Sequence, residues 1–225
     1  MVHVLAVSDE VDQRVYVDTG RVGPIELILA CGDLPFEYLG YLMDAFEAPL
    51  VFVPGNHDPD VHGYRTARSG LTVQAGLPAT PPWPPGAVNA DGLVVDIAGL
   101  RIAGLGGSPR YTPGPNQYTQ HEQAVRARRL ARRAAWRRRR DGRAVDVLIT
   151  HAPPRGVGDG DDPPHVGFDC LHLLAARLPT PLLLHGHVHP YMGRPADVQM
   201  GGTVVRNIVG RHELDIPLVA VDVPR

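Results

Sequence analysis

Short apolar runs that end in glycine or polar residues recur from one end of the chain to the other. Their lengths suit buried strands, and turn-forming residues bound them. The runs are His3–Val7, Leu27–Cys31, Leu50–Val53, Val145–Ile149 and Leu182–Leu184. In open α/β sheets, ligands bind just beyond the carboxyl ends of the strands. The residues that directly follow these runs are therefore the first candidates for a functional site.

The segments between these runs carry helical spacing or the signs of further strands. Apolar residues at helix-like intervals predict helices over Phe36–Phe46, Gln120–Arg140 and Phe168–Leu178. Additional strands are predicted at Leu93–Ile97, Arg101–Leu105, Thr203–Val209 and Leu218–Val223, of which the first two form a hairpin. This mixture predicts an α/β fold, a four-layer α-β-β-α sandwich of two mixed β-sheets flanked by helices.

A proline-dense segment, Pro78–Gly86, interrupts the pattern. Its composition is compatible with a linker between domains or with a stiff loop inside one domain. Candidate ligands lie on both sides of it, so a domain boundary here would divide a single site. We therefore predict one domain over residues 1–225, a length that buries a substantial core.

The composition argues against several classes of protein. A formal net charge of -2 gives no general attraction to nucleic acid or membrane, and 44% hydrophobic residues argue against disorder. Cys31 and Cys170 form no CxxC pair, which disfavours a thiolate zinc site. No apolar stretch is long enough to span a bilayer, and the N-terminus lacks the basic flank of a signal peptide. We expect no membrane partner and a cytoplasmic location.

Side chains that bind metals follow each of the five runs. The segments are Ser8-Asp9, Gly32-Asp33, Gly55-Asn56-His57-Asp58, Thr150-His151 and Gly186-His187-Val188-His189. Each is weak evidence alone, since Asp33 could cap the next helix and a single histidine such as His151 is usually structural. Together they offer carboxylate, amide and imidazole ligands, a mixture that suits zinc, manganese, iron or nickel rather than calcium.

In this order the five segments resemble the active site of the calcineurin-like metallophosphoesterases, hydrolases that use two divalent metal ions. The resemblance extends from Asp9 to His189. It implies two divalent transition metal ions (Mn, Fe, Zn or Ni) as cofactors. Asp33 would bridge these ions, with Asn56, His151 and His187 on one of them and Asp9 and His189 on the other.

The resemblance also implies the reaction. A hydroxide that bridges the metal ions attacks the phosphorus of a phosphoester, and His57 protonates the departing oxygen as general acid. Asn56 would contact the substrate as well as the metal. We expect a phosphodiester in preference to a monoester, while the sequence defines neither the particular substrate nor the oligomeric state.

One position departs from the family pattern, which has Asp-x-His where this chain has Asp9-Glu10-Val11. Valine cannot bind metal, so the Asp9 site lacks one ligand. Glu10 or Asp12 could replace the missing histidine, the site could bind its ion weakly, or it could be empty in a non-catalytic scaffold protein. We favour an enzyme because the other family ligands and His57 are all present.

Two further residues are candidates for the rim of the site. Arg110 follows the glycine-rich segment Gly104–Pro109 and could bind a phosphate, although an ordinary turn is an equally good interpretation. His165 could lie at the rim, but a surface histidine before a helix is the favoured interpretation.

The stretch Arg126–Arg143 is dense in arginine. It could bind nucleic acid or anionic lipid, as in a nucleic-acid-binding protein or a nuclease, or it could be the solvated face of a helix. We favour the solvated face, because alanine and leucine residues such as Ala127 and Leu130 supply a buried stripe on the same helix.

Overall fold

The computed structural model describes residues 1–17, 23–66, 71–190, 193 and 195–218. The helices in this part of the chain are α1 (Phe36–Phe46), α2 (Gln120–Asp141) and α3 (Cys170–Arg177). The strands are β1 (Val2–Ser8), β2 (Leu27–Ala30), β3 (Leu50–Phe52), β4 (Tyr64–Thr66), β5 (Thr72–Gln74), β6 (Leu77–Pro78), β7 (Val88–Asn89), β8 (Val94–Ile97), β9 (Leu100–Leu105), β10 (Ser108–Pro109), β11 (Gln117–Tyr118), β12 (Val147–Thr150), β13 (Leu182–His185), β14 (Val198–Met200), β15 (Thr203–Asn207) and β16 (Gly210–Ile216).

Two large sheets contain most of these strands. One has the order β16-β1-β2-β3-β7, and the other has the order β14-β15-β13-β12-β9-β8. Their central strands are parallel, whereas β16, β8 and β14 pair antiparallel with their neighbours. Both sheets are therefore mixed. The parallel strands bring the carboxyl ends of β1, β2 and β3 to one edge of their sheet, and those of β9, β12 and β13 to one edge of the other.

Three apolar layers hold the sheets and helices together. The central layer lies between the sheets and includes Leu29 from β2 and Ile149 from β12, both fully buried. A second layer packs Leu39 of α1 against the first sheet. A third packs Leu130 of α2, together with Leu174 of α3, against the second sheet. The predicted four-layer α-β-β-α sandwich is confirmed.

Helix α2 begins and ends where local chemistry dictates. The Thr119 side chain accepts a hydrogen bond from the Glu122 backbone N–H, and the Glu122 carboxylate accepts one from the Thr119 N–H, which forms a capping box. The helix ends at Gly142, whose φ of 75° is a left-handed conformation that glycine adopts without strain.

Several arginines of the arginine-rich stretch attach α2 to the second sheet. Arg126 contacts the Asp91 carboxylate at 2.5 Å, and Arg137 donates to the Val94 carbonyl at 2.6 Å. From β9, the side chain of Arg101, only 2% exposed, pairs with Asp141 at the end of the helix at 2.7 Å. This part of the stretch is therefore engaged in holding the fold, which the solvated-face interpretation did not anticipate.

Some elements differ from the prediction. Strand β12 begins at Val147 rather than Val145, and α3 begins at Cys170 rather than Phe168, whose backbone N–H donates to the Pro153 carbonyl at 3.0 Å. Strand β16 was not predicted. It pairs with β1 along the full length of β1.

The predicted strand Leu218–Val223 lies, apart from Leu218, outside the described residues. None of the helices in the described ranges combines the length and apolarity needed to cross a membrane.

Candidate metal centre

The polar residues that follow the strands converge where the two sheets meet. Asp9 directly follows β1, and His151 directly follows β12. Asp33 lies three positions beyond the end of β2, and His187 lies two positions beyond the end of β13. Asp9, Asp33 and His187 adopt left-handed backbone conformations with φ of 61°, 57° and 70°. Such conformations are uncommon outside glycine and cost roughly 1–3 kcal/mol each. The fold therefore holds three of the candidate ligands in strained turns at the ends of strands.

Two glycines permit this close approach. A Cβ atom at Gly55 would overlap the Asp33 carboxylate, and a Cβ atom at Gly186 would overlap the side chains of Ser8 and Asp9. No residue with a side chain fits at either position without displacing a candidate ligand. Gly55 and Gly186 are thus required because no side chain fits beside the candidate ligands at these positions.

Asp33, His151 and His187 form a compact group whose ligand atoms all lie within 4.8 Å of one another. The Asp33 Oδ2 atom is 3.3 Å from His151 Nε2. The Asn56 Oδ1 atom is 3.0 Å from the same nitrogen. His151 and His187 are both buried. A buried cluster of imidazole, carboxylate and amide donors fits a divalent transition metal ion.

Backbone carbonyls fix which ring nitrogen each histidine turns to the site. His151 Nδ1 donates to the Cys31 carbonyl at 2.7 Å, which leaves Nε2 facing Asp33 and Asn56. His187 Nε2 donates to the Pro164 carbonyl at 2.7 Å, which leaves Nδ1 free. Metal-binding histidines commonly have such a partner on the second nitrogen, because it fixes the tautomer and ring orientation.

The charges in the group are strongly coupled. Burial disfavours the charged form of His151, but the charge and hydrogen bond of Asp33, with help from Asp9, outweigh it and raise the pKa of His151 to about 9. Burial, reinforced by the charge of His151, lowers the pKa of His187 to about 3. In the metal-free protein, the His151 ring is therefore protonated and carries the positive charge of the group. A metal cation would take the place of this proton.

Tyr111 supports the group and was missed by the sequence reasoning. Its hydroxyl accepts a hydrogen bond from Asn56 Nδ2 at 3.0 Å, so the amide must turn Oδ1 towards His151. The loop that carries Tyr111 is held by Gln117, whose side-chain carbonyl accepts from the Tyr111 backbone N–H at 3.2 Å. The only sequence signal was that Tyr111 follows the glycine-rich segment that drew attention to Arg110.

The Asp9 side of the site is less compact. Asp9 is half-buried, and its removal from solvent raises its pKa, while its Oδ2 accepts from Ser8 Oγ at 2.5 Å and from the His187 N–H at 2.9 Å. His189 lies outside the group of Asp33, His151 and His187. Its side chain is 54% exposed, and its Nδ1 atom lies 3.0 Å from the Glu10 carboxylate.

The structure separates the two substitutes considered for the missing histidine. Val11 packs against the apolar layer beneath α1. Asp12 is engaged by Arg14 at 2.8 Å and by Arg211 at 3.2 Å, and it caps the short 3-10 helix that follows. Glu10 is 60% exposed and contacts His189, so it is the carboxylate that lies beside the incomplete side.

The remaining predicted residues lie around this centre. The exposed His57 donates its backbone N–H to Asp33 Oδ1 at 2.8 Å, while Asp58 accepts from the backbone of Gly55 and Asp33 and so shapes the loop. Arg110 donates to the Glu122 carboxylate at 3.0 Å, with both side chains 46% exposed. The ring of His165 lies 5.4 Å from that of His187, and the part-exposed His165 precedes α3, so it is a surface histidine that also lies beside the ligand group.

Comparison with known proteins agrees with this geometry. The family model described as calcineurin-like phosphoesterase matches residues 7–191. The chain belongs to this family, whose members typically bind divalent metal ions and act on phosphoesters. A search of curated proteins returns no match.

Solved structures share the fold at low sequence identity. One crystal structure is 13% identical with a TM-score of 0.56, covering 91% of this chain and 89% of the other. The crystal structure of TT1561 of Thermus thermophilus is 14% identical with a TM-score of 0.53, covering 92% of this chain and 88% of the other. These likenesses concern the fold alone.

Proposed function

We propose that the protein is a metal-dependent hydrolase of phosphoesters, with a preference for phosphodiesters and with His57 as general acid. The observation that carries this proposal is the buried group of Asp33, His151 and His187, with the Asn56 oxygen beside it, in a chain of the calcineurin-like family. These donors lie at the carboxyl ends of strands, where a substrate can approach from solvent.

The residues present suit two divalent ions unequally. Asp33, Asn56, His151 and His187 would hold one ion, and Asp33, Asp9 and His189 would hold the other less firmly. Manganese, iron, zinc and nickel all match this donor set. When bound, such ions polarise the phosphoryl oxygens and lower the pKa of bound water.

We assign the protonation of the leaving group to His57. Its backbone is anchored to Asp33, which fixes the loop relative to the metal ligands, while its side chain is exposed to an approaching substrate. Proton donation to a departing alkoxide or phenoxide accelerates phosphoester cleavage by roughly 10²–10⁴-fold.

The charges near the centre favour a phosphodiester substrate over a phosphomonoester. A monoester carries a second negative charge that needs a further cation. Arg110, the arginine predicted for this role, is instead engaged by Glu122. A singly charged phosphodiester makes no such demand.

Hydrolysis of bis(p-nitrophenyl) phosphate by zinc- or manganese-loaded protein tests the proposal. His57→Ala should lower kcat by about 10²-fold or more while leaving metal affinity unchanged. His62→Asn, which alters an exposed histidine of the same loop, is the matched control and should retain activity. Absence of turnover by metal-loaded protein on aryl monoesters and diesters alike would refute the proposal.

A non-catalytic scaffold is the second candidate, and two observations favour it. Valine stands at position 11, and His189 lies outside the compact group, so the Asp9 side is weakened. A binding protein would not need a complete second metal site. The nuclease alternative has less support, because Arg126 and Arg137 of the arginine-rich stretch are already engaged by aspartates and carbonyls of the fold.

A further inference from the structure

A depression of about 480 Å³ opens beside the metal centre, on the side where His57 lies. Asp33, His57 and Asp58 form the wall that it shares with the centre. The rest of the lining consists of Leu34, Pro35, Phe36, Glu37, Pro59 and Pro82. A substrate whose phosphorus sits at the metal ligands would therefore place the group next to His57 in this depression.

Three proline rings from separate segments give the depression a rigid apolar rim. Pro35 precedes α1, Pro59 follows the loop of metal ligands, and Pro82 belongs to the proline-dense segment. The neighbour of Pro82, Trp83, anchors that segment by packing against Phe52 with ring centroids 5.6 Å apart. Because each proline ring fixes the backbone φ angle, the rim is preorganised and loses little freedom when a ligand binds.

The charge of the depression restricts its occupant. Among the described residues that line it, His57 is the one that can carry a positive charge. Glu37 lies exposed at the rim, and the buried Asp58 carboxylate accepts backbone hydrogen bonds from Gly55 and Asp33. A leaving group that bears phosphate or carboxylate would meet these acidic groups without a compensating cation.

We propose that this depression is a leaving-group subsite for an uncharged aromatic group. This inference rests on the proposed function, since it assigns the leaving side to His57. Flat apolar rings bury well against proline and phenylalanine, and pockets of this kind obtain most of their affinity from apolar lining. The preferred substrate is therefore an aryl or heteroaryl phosphoester rather than an ester of a polyphosphate.

Paired substrates test the charge selectivity. Methyl p-nitrophenyl phosphate carries an uncharged aryl leaving group, and methyl 3-carboxy-4-nitrophenyl phosphate adds one negative charge to the same ring. Glu37→Gln should improve kcat/KM for the carboxylated substrate relative to the uncharged one by about two- to fivefold, as expected for an exposed charge. An unchanged ratio would overturn the assignment of Glu37 to this subsite.

A second variant tests the apolar rim. Pro82→Ala should raise KM for methyl p-nitrophenyl phosphate about fivefold, because part of the apolar contact is lost. Pro113→Ala, an exposed proline on the loop that carries Tyr111, is the matched control and should leave KM unchanged. Equal effects of the two variants would contradict the subsite.

A binding measurement separates this inference from the proposed function. Zinc-loaded Trp136→Phe protein is titrated with phenylphosphonate or methylphosphonate while the fluorescence of Trp83 is followed. The phenyl compound should bind about tenfold more tightly, and Pro82→Ala should reduce that preference. Phenyl preference without turnover would refute the hydrolase and retain the subsite, whereas turnover without phenyl preference would refute the subsite alone.

Discussion

Binding of a divalent ion to Asp33, His151 and His187 should release a proton from His151. In the metal-free protein this proton lies between the ring and two oxygen acceptors, the Asp33 carboxylate at 3.3 Å and the Asn56 amide at 3.0 Å. A metal ion that uses the same nitrogen must displace it. Metal affinity and pH are therefore coupled at this residue.

The size of the coupling follows from the pKa of His151, which is about 9. At pH 7 only about one chain in a hundred has the neutral ring, so affinity should be roughly 100-fold below its limit at high pH. Between pH 6.5 and 9, affinity should rise by about tenfold per pH unit. A histidine with the ordinary pKa of 6.5 would give a nearly constant affinity over the same range.

Zinc titrations against a competing chelator from pH 6.5 to 9 measure this dependence. Calorimetry at pH 7.5 in buffers with different ionisation enthalpies should report release of about one proton with the first ion. His62→Asn, which changes a histidine outside the ligand group, should show the same dependence. A constant affinity over this range, or no proton release at pH 7.5, would refute the reasoning.

The same pKa shift affects the stability of the metal-free protein. The folded-state pKa of His151 lies above the ordinary value of 6.5, so the stabilisation is fully present below pH 6.5 and disappears as the pH rises through 9. Its size is about 3 kcal/mol at most. Denaturation of metal-free protein at pH 6.5 and 9 should show this fall, and saturating zinc should abolish it, because the zinc-bound protein has no proton on His151 to lose.

Three further substitutions have defined outcomes. Tyr111→Phe removes the acceptor that orients Asn56, and calorimetry should show affinity for the first ion about tenfold weaker. Val11→His restores an imidazole to the Asp9 side, so metal analysis should find a second ion that binds more tightly than in the unchanged protein. The lost packing of Val11 should cost about 1 kcal/mol of stability. Arg101→Met removes a buried guanidinium that pairs with Asp96 and Asp141, and urea denaturation should show a loss of about 2 kcal/mol.

Each of these substitutions has a control or a contradictory outcome. Tyr118→Phe removes another tyrosine hydroxyl, one that contacts His62, and should leave metal affinity unchanged. No gain in bound metal with Val11→His would show that the missing imidazole is not what limits the Asp9 side. Arg139→Met changes an exposed arginine of α2 and should alter stability by less than about 0.5 kcal/mol.

The sequence predicted the strands that carry candidate ligands at their ends better than it predicted the other elements. Parallel buried strands are continuous apolar runs, so β1, β2, β3 and β13 could be located to within about two residues. Strand β16 was missed because it has only two strongly apolar residues, Leu214 and Ile216, even though they alternate with charged residues as in a half-buried strand. Its place beside β1 depends on long-range pairing rather than on a local pattern.

Relations between distant side chains could not be derived from the sequence. The pairing of Asn56 with Tyr111 and that of Glu10 with His189 join residues far apart along the chain. Spacing and composition do not encode which ring nitrogen meets a carbonyl, because that choice depends on packed three-dimensional geometry. The segment order indicated which residues converge, and only the packed sheets define their partners.

The left-handed backbone at Asp9, Asp33 and His187 has a consequence for engineering. Glycine would relieve much of the local cost at each position, and at Asp9 it would also remove a half-buried carboxylate. Variants selected only for heat resistance should therefore lose metal ligands in preference to residues of the core. A library screened for thermostability therefore needs a simultaneous measurement of metal binding. Without it, the selection would favour more stable variants that no longer bind metal.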